Sequence, residues 1–275
     1  LAIEQLKYCL VYKEGWKDLK DLSLTYNNLG KTYAQKGDYE LAIFNFIEAL
    51  KLMEVDQNLI GQAFYLNNIG AVYDLQHNYF KALDYYKKSL EIKLTLNDSL
   101  GIAASSTNIG ITYFNLDKYH MAIEYHKNAY SIFNKYDFPT RTARSLSNIG
   151  KSYIELENFR AAKQYLSMAL SLEEQIEEEL LIITLNNNLA SLYLQLDQVD
   201  SAYFFNEKSY TLAKASNSFQ GLINCSHIQS QIHERKGDFE EALKEERIRF
   251  EYSDSLVNEA NINAVAEMES KYNLA

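Results

Sequence analysis

The sequence predicts an all-α protein, a solenoid of stacked antiparallel helix pairs, because three sets of residues recur every forty positions. An Asn-Leu/Ile-Gly triplet begins at Asn28, Asn68, Asn108 and Asn148, with Asn188-Leu189-Ala190 as a fifth copy and Ser230 marking a degenerate sixth. Three positions after the last triplet residue come Tyr33, Tyr73, Tyr113, Tyr153, Tyr193 and His233. Nine positions further on come Ala42, Ala82, Ala122, Ala162, Ala202 and Ala242.

Each copy is predicted to form two helices. In the first full copy, helix A runs from about Leu19 to Gln35 and helix B from about Tyr39 to Met53. Gly37 and Asp38 lie between them and are expected to supply the turn and the N-cap of helix B. Gly30 sits inside helix A at a cost of about 1 kcal/mol relative to Ala. We therefore expect helix A to lie close to the Ala-bearing face of helix B.

The repeat predicts three segments. Residues 1–14 correspond to the second helix of a truncated repeat, because Ala2, Leu6 and Cys9 lie forty positions before Ala42, Phe46 and Ala49. Residues 15–253 form six units of the forty-residue period. Residues 254–275 are predicted to form a C-terminal amphipathic helix, either a truncated cap or a linker to a missing domain. Because solenoids need polar caps, we expect the chain to be a fragment.

Composition narrows the classes of function. The net charge of −10 argues against nucleic acid as a ligand, because phosphate binding needs a basic surface. The sequence has no run of about 18 apolar residues, so this segment is not expected to enter a membrane. Cys9 and Cys225 are too far apart in the array to predict a disulfide.

The sequence has no motif that predicts catalysis. It contains no HExxH, zinc pattern, GxSxG, Walker loop or GxGxxG. His126 and His233 replace aromatic residues of the repeat and are expected in the core. We therefore predict that the segment is not an enzyme, binds no metal and needs no cofactor.

The repeat resembles the tetratricopeptide repeat (TPR) in the residues that occupy its consensus places, which in the first copy are Tyr26, Leu29, Gly30, Tyr33, Ala42, Phe46 and Ala49. The period of forty is longer than the family's usual period. It is similar to that of kinesin light chains, of adaptors with Leu-Gly-Asn repeats and of Rap-type receptors. The residues around Tyr252 and Met268 resemble the exit of the TPR sensor regions of bacterial histidine kinases and regulators. The resemblance implies a right-handed superhelix whose A helices line a concave groove.

A ladder of Asn side chains is the strongest candidate for a binding site. At about 100° per residue, Asn28 points away from the packed arc of helix A, together with Leu24 and Lys31. Asn is unfavourable inside helices, so its recurrence at one exposed position needs a reason. The resemblance implies that these amides bind the backbone of an extended peptide. The ladder comprises Asn28, Asn68, Asn108, Asn148 and Asn188. The alternative is that each Asn bonds the neighbouring helix or water.

The other residues of this face predict the character of the ligand. In the second and third copies they are mostly apolar, with Phe64 and Ile111 as examples. In the fourth copy Arg144 and Lys151 predict contact with a carboxylate, because Arg offers a bidentate fork. The alternative is that the apolar residues pack on adjacent A helices and that the cations are solvated.

Three functions are compatible with these patterns. The first is a module that captures a peptide or an extended protein segment. The second is the sensor domain of a bacterial histidine kinase or DNA-binding regulator, suggested by the residues around Tyr252 and Met268, with its output domain outside this chain. The third is a scaffold that self-associates through its truncated ends. The compartment, cytoplasmic or periplasmic, stays open.

Overall fold

The structure is a computed structural model that describes residues 19–176 and 178–272, with side chains as far as residue 256. In this part of the chain every regular element is a helix, as the sequence predicts. The helices are α1 (Leu19–Gln35), α2 (Tyr39–Val55), α3 (Leu59–Leu75), α4 (Tyr79–Thr95), α5 (Ser99–Asn115), α6 (Tyr119–Lys135), α7 (Pro139–Glu155), α8 (Phe159–Leu170), α9 (Glu179–Gln195), α10 (Val199–Ala215), α11 (Phe219–Lys236) and α12 (Phe239–Tyr272). Odd-numbered helices are A helices and even-numbered helices are B helices.

The turns follow a period of twenty residues. A left-handed backbone conformation occurs at Gly37, Gln57, His77, Asn97, Asp117, Asp137, Glu157, Asp197, Asn217 and Gly237, with φ between 52° and 81°. The carboxamide of Asn58 then caps α3 through the Gly61 N–H at 2.9 Å. Asp38 does occupy the N-cap position of α2, but its side chain makes no capping hydrogen bond, which differs from the expectation.

The chain divides into two compact units, one up to Tyr125 and the other from His126 to Val265. In the first unit α2 packs against α1 and α3, and α4 packs against α3 and α5. The recurring Ala42, Ala82 and Ala122 are fully buried, as predicted. The glycines lie close to the B helices, and in the second unit a Cβ on Gly150 would lie 3.5 Å from the carbonyl oxygen of Ala162. A Cβ on Gly30 would lie 2.8 Å from the Phe46 ring.

The second unit departs from the repeat at the end of its first complete helix pair. α8 has 12 residues where α7 has 17, and a short 3₁₀ turn, Glu173–Gln175, follows it. Ile176 is buried and packs against Ala143 and Leu181. Glu173, the first residue of this turn, pairs with Lys208 at 3.2 Å.

The last helix is continuous. α12 runs 34 residues, so the expected boundary between residues 253 and 254 falls inside one helix. The predicted helix over residues 1–14, including Cys9, lies outside the described residues. Cys225 is buried with a free thiol. None of the helices within the described ranges is both long and apolar enough to cross a bilayer.

Candidate binding face

The predicted binding face of the first unit lies on α1, α3 and α5 and reaches the solvent. Asn28 is exposed, and Asn68 and Asn108 are half-buried. The position fits the packing of these helices, because Leu29, Ile69 and Ile109 next to them are at most 1% exposed. We call the exposed residues of these three helices the first A face.

Hydrogen bonds between neighbouring A helices hold the amides of this face. Asn68 Nδ2 donates to Asn27 Oδ1 at 3.0 Å. Asn108 Nδ2 donates to Asn67 Oδ1 at 3.1 Å. Each bond joins residues that are 41 positions apart. The ladder therefore bonds the preceding A helix, which was the alternative interpretation of these residues, and each bond uses one of the two N–H groups of a carboxamide.

Apolar side chains surround the amides of the first A face. Leu24 is 52% exposed, Phe64 42%, Leu75 53% and Ile111 37%. Lys31 and Phe64, both predicted site residues, come together across α1 and α3, with the ammonium nitrogen 5.9 Å from the ring centroid. Such cation–π contacts at exposed sites contribute about 0.5–1 kcal/mol. This part of the face is therefore apolar, with one cation at its edge.

The second A face, on α7 and α9 of the second unit, is more polar. Asn148 and Asn188 are half-buried, and Asn188 Nδ2 donates to Ser147 Oγ at 3.0 Å. Arg144 forms an ion pair with Glu178, just before α9. Lys151 is exposed on the same helix as Arg144. Arg144 was expected to bind a carboxylate of a ligand, whereas in the structure Glu178 of the same chain supplies its carboxylate partner.

Sequence reasoning missed the partners of the predicted residues. Asn27, Asn67 and Ser147 precede the recurring Asn by one position in earlier copies, and two of the three are Asn. That second, weaker repetition was a signal for pairing between copies. Glu178 had no such signal, because it is brought to Arg144 by the early end of α8. Among the side chains that the structure describes, no group of three or more His, Cys, Asp or Glu residues could hold a metal ion.

Comparison with known families identifies the repeat. The family model for the tetratricopeptide repeat matches residues 21–95 and 101–175. These two stretches cover more than half of the 275 residues, so the chain belongs to the tetratricopeptide repeat family. No curated protein matches the chain.

Solved structures share this fold at low sequence identity. The apo form of RapI is 17% identical with a TM-score of 0.74, covering 93% of this chain and 92% of RapI. Aspartyl phosphate phosphatase F from Bacillus subtilis is 18% identical with a TM-score of 0.73, covering 91% and 65%. The Rap conjugation gene regulator of plasmid pLS20, in complex with the Phr* peptide, is 16% identical with a TM-score of 0.60, covering 86% and 76%. At these identities the likeness shows the fold alone.

Proposed function

We propose that the protein captures a peptide, or an extended segment of another protein, on its A faces. The observation that carries the proposal is the pair of fixed amides, Asn68 and Asn108, on a solvent-accessible face. A carboxamide has two N–H donors and one acceptor oxygen, and the bond to the preceding helix uses one donor. The other donor and the oxygen match the C=O and N–H of an extended backbone.

The inter-helix hydrogen bonds favour binding because they order the amides before the ligand arrives. A side chain that is immobilised on binding costs about 0.5–1.5 kcal/mol. Asn68 and Asn108 have met most of this cost in the free protein. The exposed Phe64 and Ile111 lie on the same face and are proposed to contact apolar side chains of the ligand. The peptide complex of the pLS20 Rap regulator supports this use of the fold.

On the second A face we propose that Arg144 and Lys151 bind a carboxylate of the ligand, next to Asn148 and Asn188. Arg144 already pairs with Glu178, so the carboxylate of the ligand has to displace the carboxylate of Glu178. Both partners of that pair are about half exposed, at 42% and 53% of their side chains. Exposed ion pairs contribute only about 0–1 kcal/mol, so the exchange is feasible.

A selection of short random peptides displayed on phage, with the full chain as bait, tests the proposal. Enriched peptides are synthesised and their affinities measured by fluorescence anisotropy. The double substitution Asn68→Ala, Asn108→Ala is expected to weaken binding at least about tenfold, the effect of losing two hydrogen bonds. Asn134→Ala, on an exposed position of α6, is the matched control and should bind as the wild type does. Equal affinity of the double variant and the control contradicts the proposal.

A sensor role is a second proposal, supported by the fold shared with a gene regulator that binds a peptide. The residues near Met268 that suggested it lie beyond residue 256, outside the described side chains. Reading the gene past codon 275 tests it. A kinase or DNA-binding domain downstream supports the sensor, and a nearby stop codon contradicts it. Self-association stays a prediction, to be measured by sedimentation equilibrium.

A further inference from the structure

The second unit replaces large or apolar repeat residues by polar ones at three positions. Gln229 takes the place of Leu29, Ile69, Ile109, Ile149 and Leu189. Asn206 takes the place of Phe46, Tyr86, His126 and Leu166, and Glu245 that of Asn45, Tyr85, Tyr125, Tyr165 and Phe205. Three polar replacements together indicate that this part of the array serves something other than packing.

The three replacements meet at one cavity of about 340 Å³ between α10, α11 and α12. Asn206 Nδ2 donates to Gln229 Oε1 at 2.9 Å. Asn206 is 2% exposed, and its Oδ1 has no hydrogen-bond partner among the described residues. An unpaired buried acceptor costs about 1–3 kcal/mol, so a donor that reaches it gains that energy back. A residue that lines the cavity, Asn206, therefore carries a fixed acceptor without a donor.

The charge around the cavity is negative. Glu207, Glu245 and Glu251 line it, and no Lys or Arg is among its described lining residues. Burial raises the pKa of the Glu245 carboxyl, the nearby His233 opposes this effect, the charges of Glu241 and Glu207 add to it, and a hydrogen bond with Ser226 also opposes it. A bound cation would offset this repulsion.

Aromatic rings complete the lining. Tyr210 and Tyr252 both line the cavity. Burial, together with the hydrogen bond to Tyr210, raises the pKa of Tyr252 to about 12, so the Tyr252 phenol stays neutral at physiological pH. Tyrosine faces attract ammonium and guanidinium groups. The volume lies at the low end of ligand pockets, about 300–1,000 Å³, which suits a small molecule or one side chain.

We propose that this cavity binds an organic cation, an alkylammonium or guanidinium group, whose N–H groups donate to Asn206 Oδ1 and to the surrounding carboxylates. The cavity is formed by α10, α11 and α12, which carry none of the residues proposed to bind a peptide, so the proposal does not depend on peptide capture. The cation comes either from a free amine or from a Lys or Arg side chain of a partner.

Calorimetric titration of the full chain tests the proposal with four probes. Cadaverine represents a free amine, and N-acetyl-lysine methylamide and N-acetyl-arginine methylamide represent a protein side chain. The neutral diol analogue of cadaverine is the control. We expect at least one cationic probe to bind more tightly than about 1 mM, and the diol not to bind. Binding by cadaverine alone identifies a free amine, and binding by the capped amino acids alone identifies a side chain.

Two test variants and one control variant locate the site. Glu245→Gln is expected to weaken binding at least about tenfold, because it removes a charge-assisted hydrogen bond. Glu240→Gln, on an exposed position of the same helix, should leave affinity unchanged. Asn206→Leu introduces the residue of the fourth copy, and should abolish binding while circular dichroism shows an intact helical fold. Equal binding of the diol, absence of binding by every cation, or wild-type affinity of Glu245→Gln overturns the proposal.

Discussion

The carboxamide of Asn108 donates a 3.1 Å hydrogen bond to Oδ1 of Asn67, on the preceding A helix. Asn68 and Asn27 have the same relationship. The Asn ladder therefore connects neighbouring repeats and also faces the solvent. Recurrence of Asn at this position has a structural cause, whether or not a ligand also uses the amides.

This pairing predicts a difference between two substitutions of Asn67. Asn67→Leu removes the acceptor and is expected to lower the free energy of unfolding by about 1 kcal/mol. Asn67→Asp keeps an acceptor oxygen for Asn108 and should lose less. Urea denaturation followed by circular dichroism measures both. Equal stabilities of the Leu and Asp variants would show that the bond contributes nothing.

Gly70 is predicted to tolerate no side chain while Tyr86 is opposite it. A Cβ at Gly70 would lie 2.8 Å from Tyr86 Cδ1, and Tyr86 is 3% exposed. Gly70→Ala should therefore destabilise the protein by about 1–3 kcal/mol, although Ala is the better helix former. The double variant Gly70→Ala, Tyr86→Leu should be less impaired than the sum of the single variants. Thermal denaturation checks this, and strict additivity would contradict the contact.

The protein is predicted to be more stable with glycine at position 157. The φ of Glu157 is 55°, a left-handed conformation that costs a residue with a side chain about 1 kcal/mol or more. Glu157→Gly should raise the free energy of unfolding by up to about 1 kcal/mol. Gln164→Gly, inside α8, is the control and should lower it by a similar amount. If both variants changed stability in the same direction, backbone strain at Glu157 would be excluded as the cause.

The buried His126 is expected to make the folded protein less stable in mild acid. Burial lowers its pKa to about 4, from the value of 6.5 in a solvated chain. The unfolded chain therefore takes up the proton first, and stability falls as the pH drops from about 6.5 to about 4, by at most about 3 kcal/mol. His126→Phe, which introduces the residue of the first copy, should remove this part of the pH dependence. Parallel stability curves for the two proteins would refute it.

Glu178→Gln is predicted to strengthen the binding of carboxylate-bearing peptides, because it releases Arg144 from its internal ion pair. The measurement compares a selected peptide with a free carboxyl terminus and its amidated form. We expect a gain of up to about tenfold for the free carboxylate only. Glu179→Gln is the neighbouring control. A gain for both peptide forms would exclude Arg144 as the carboxylate contact.

The repeat allowed much of the fold to be predicted. The bounds of α1 agree with the prediction, and the six recurring alanines are at most 5% exposed. The early end of α8 could not be predicted, because neither Gly nor Pro follows Leu170 and the next residues, Ser171 and Leu172, suit a helix. Tertiary packing of Ile176 decides the structure there.

The sequence predicted that the Asn side chains reach the solvent, but it did not predict the hydrogen bonds that they form. Solvent exposure of the Asn column follows from helical geometry alone, whereas its pairing depends on the distance between neighbouring A helices. The cavity of the second unit did have a signal in the sequence. Gln229 and Glu245 stand in columns otherwise occupied mainly by Leu, Ile or aromatic residues, and reading those columns to the sixth copy would have revealed it.

The twenty-residue spacing of the left-handed turns also bears on how such a chain changes over generations. A recombination that removes residues 58–97 puts Gln57 in the place of Asn97, which has the same left-handed conformation, and leaves each remaining helix intact. A loss of only half that length would place a B helix where an A helix must pack. Gene duplication and deletion in units of one pair therefore keep the alternation of A and B helices, and an event within the first five copies removes or adds one Asn of the ladder.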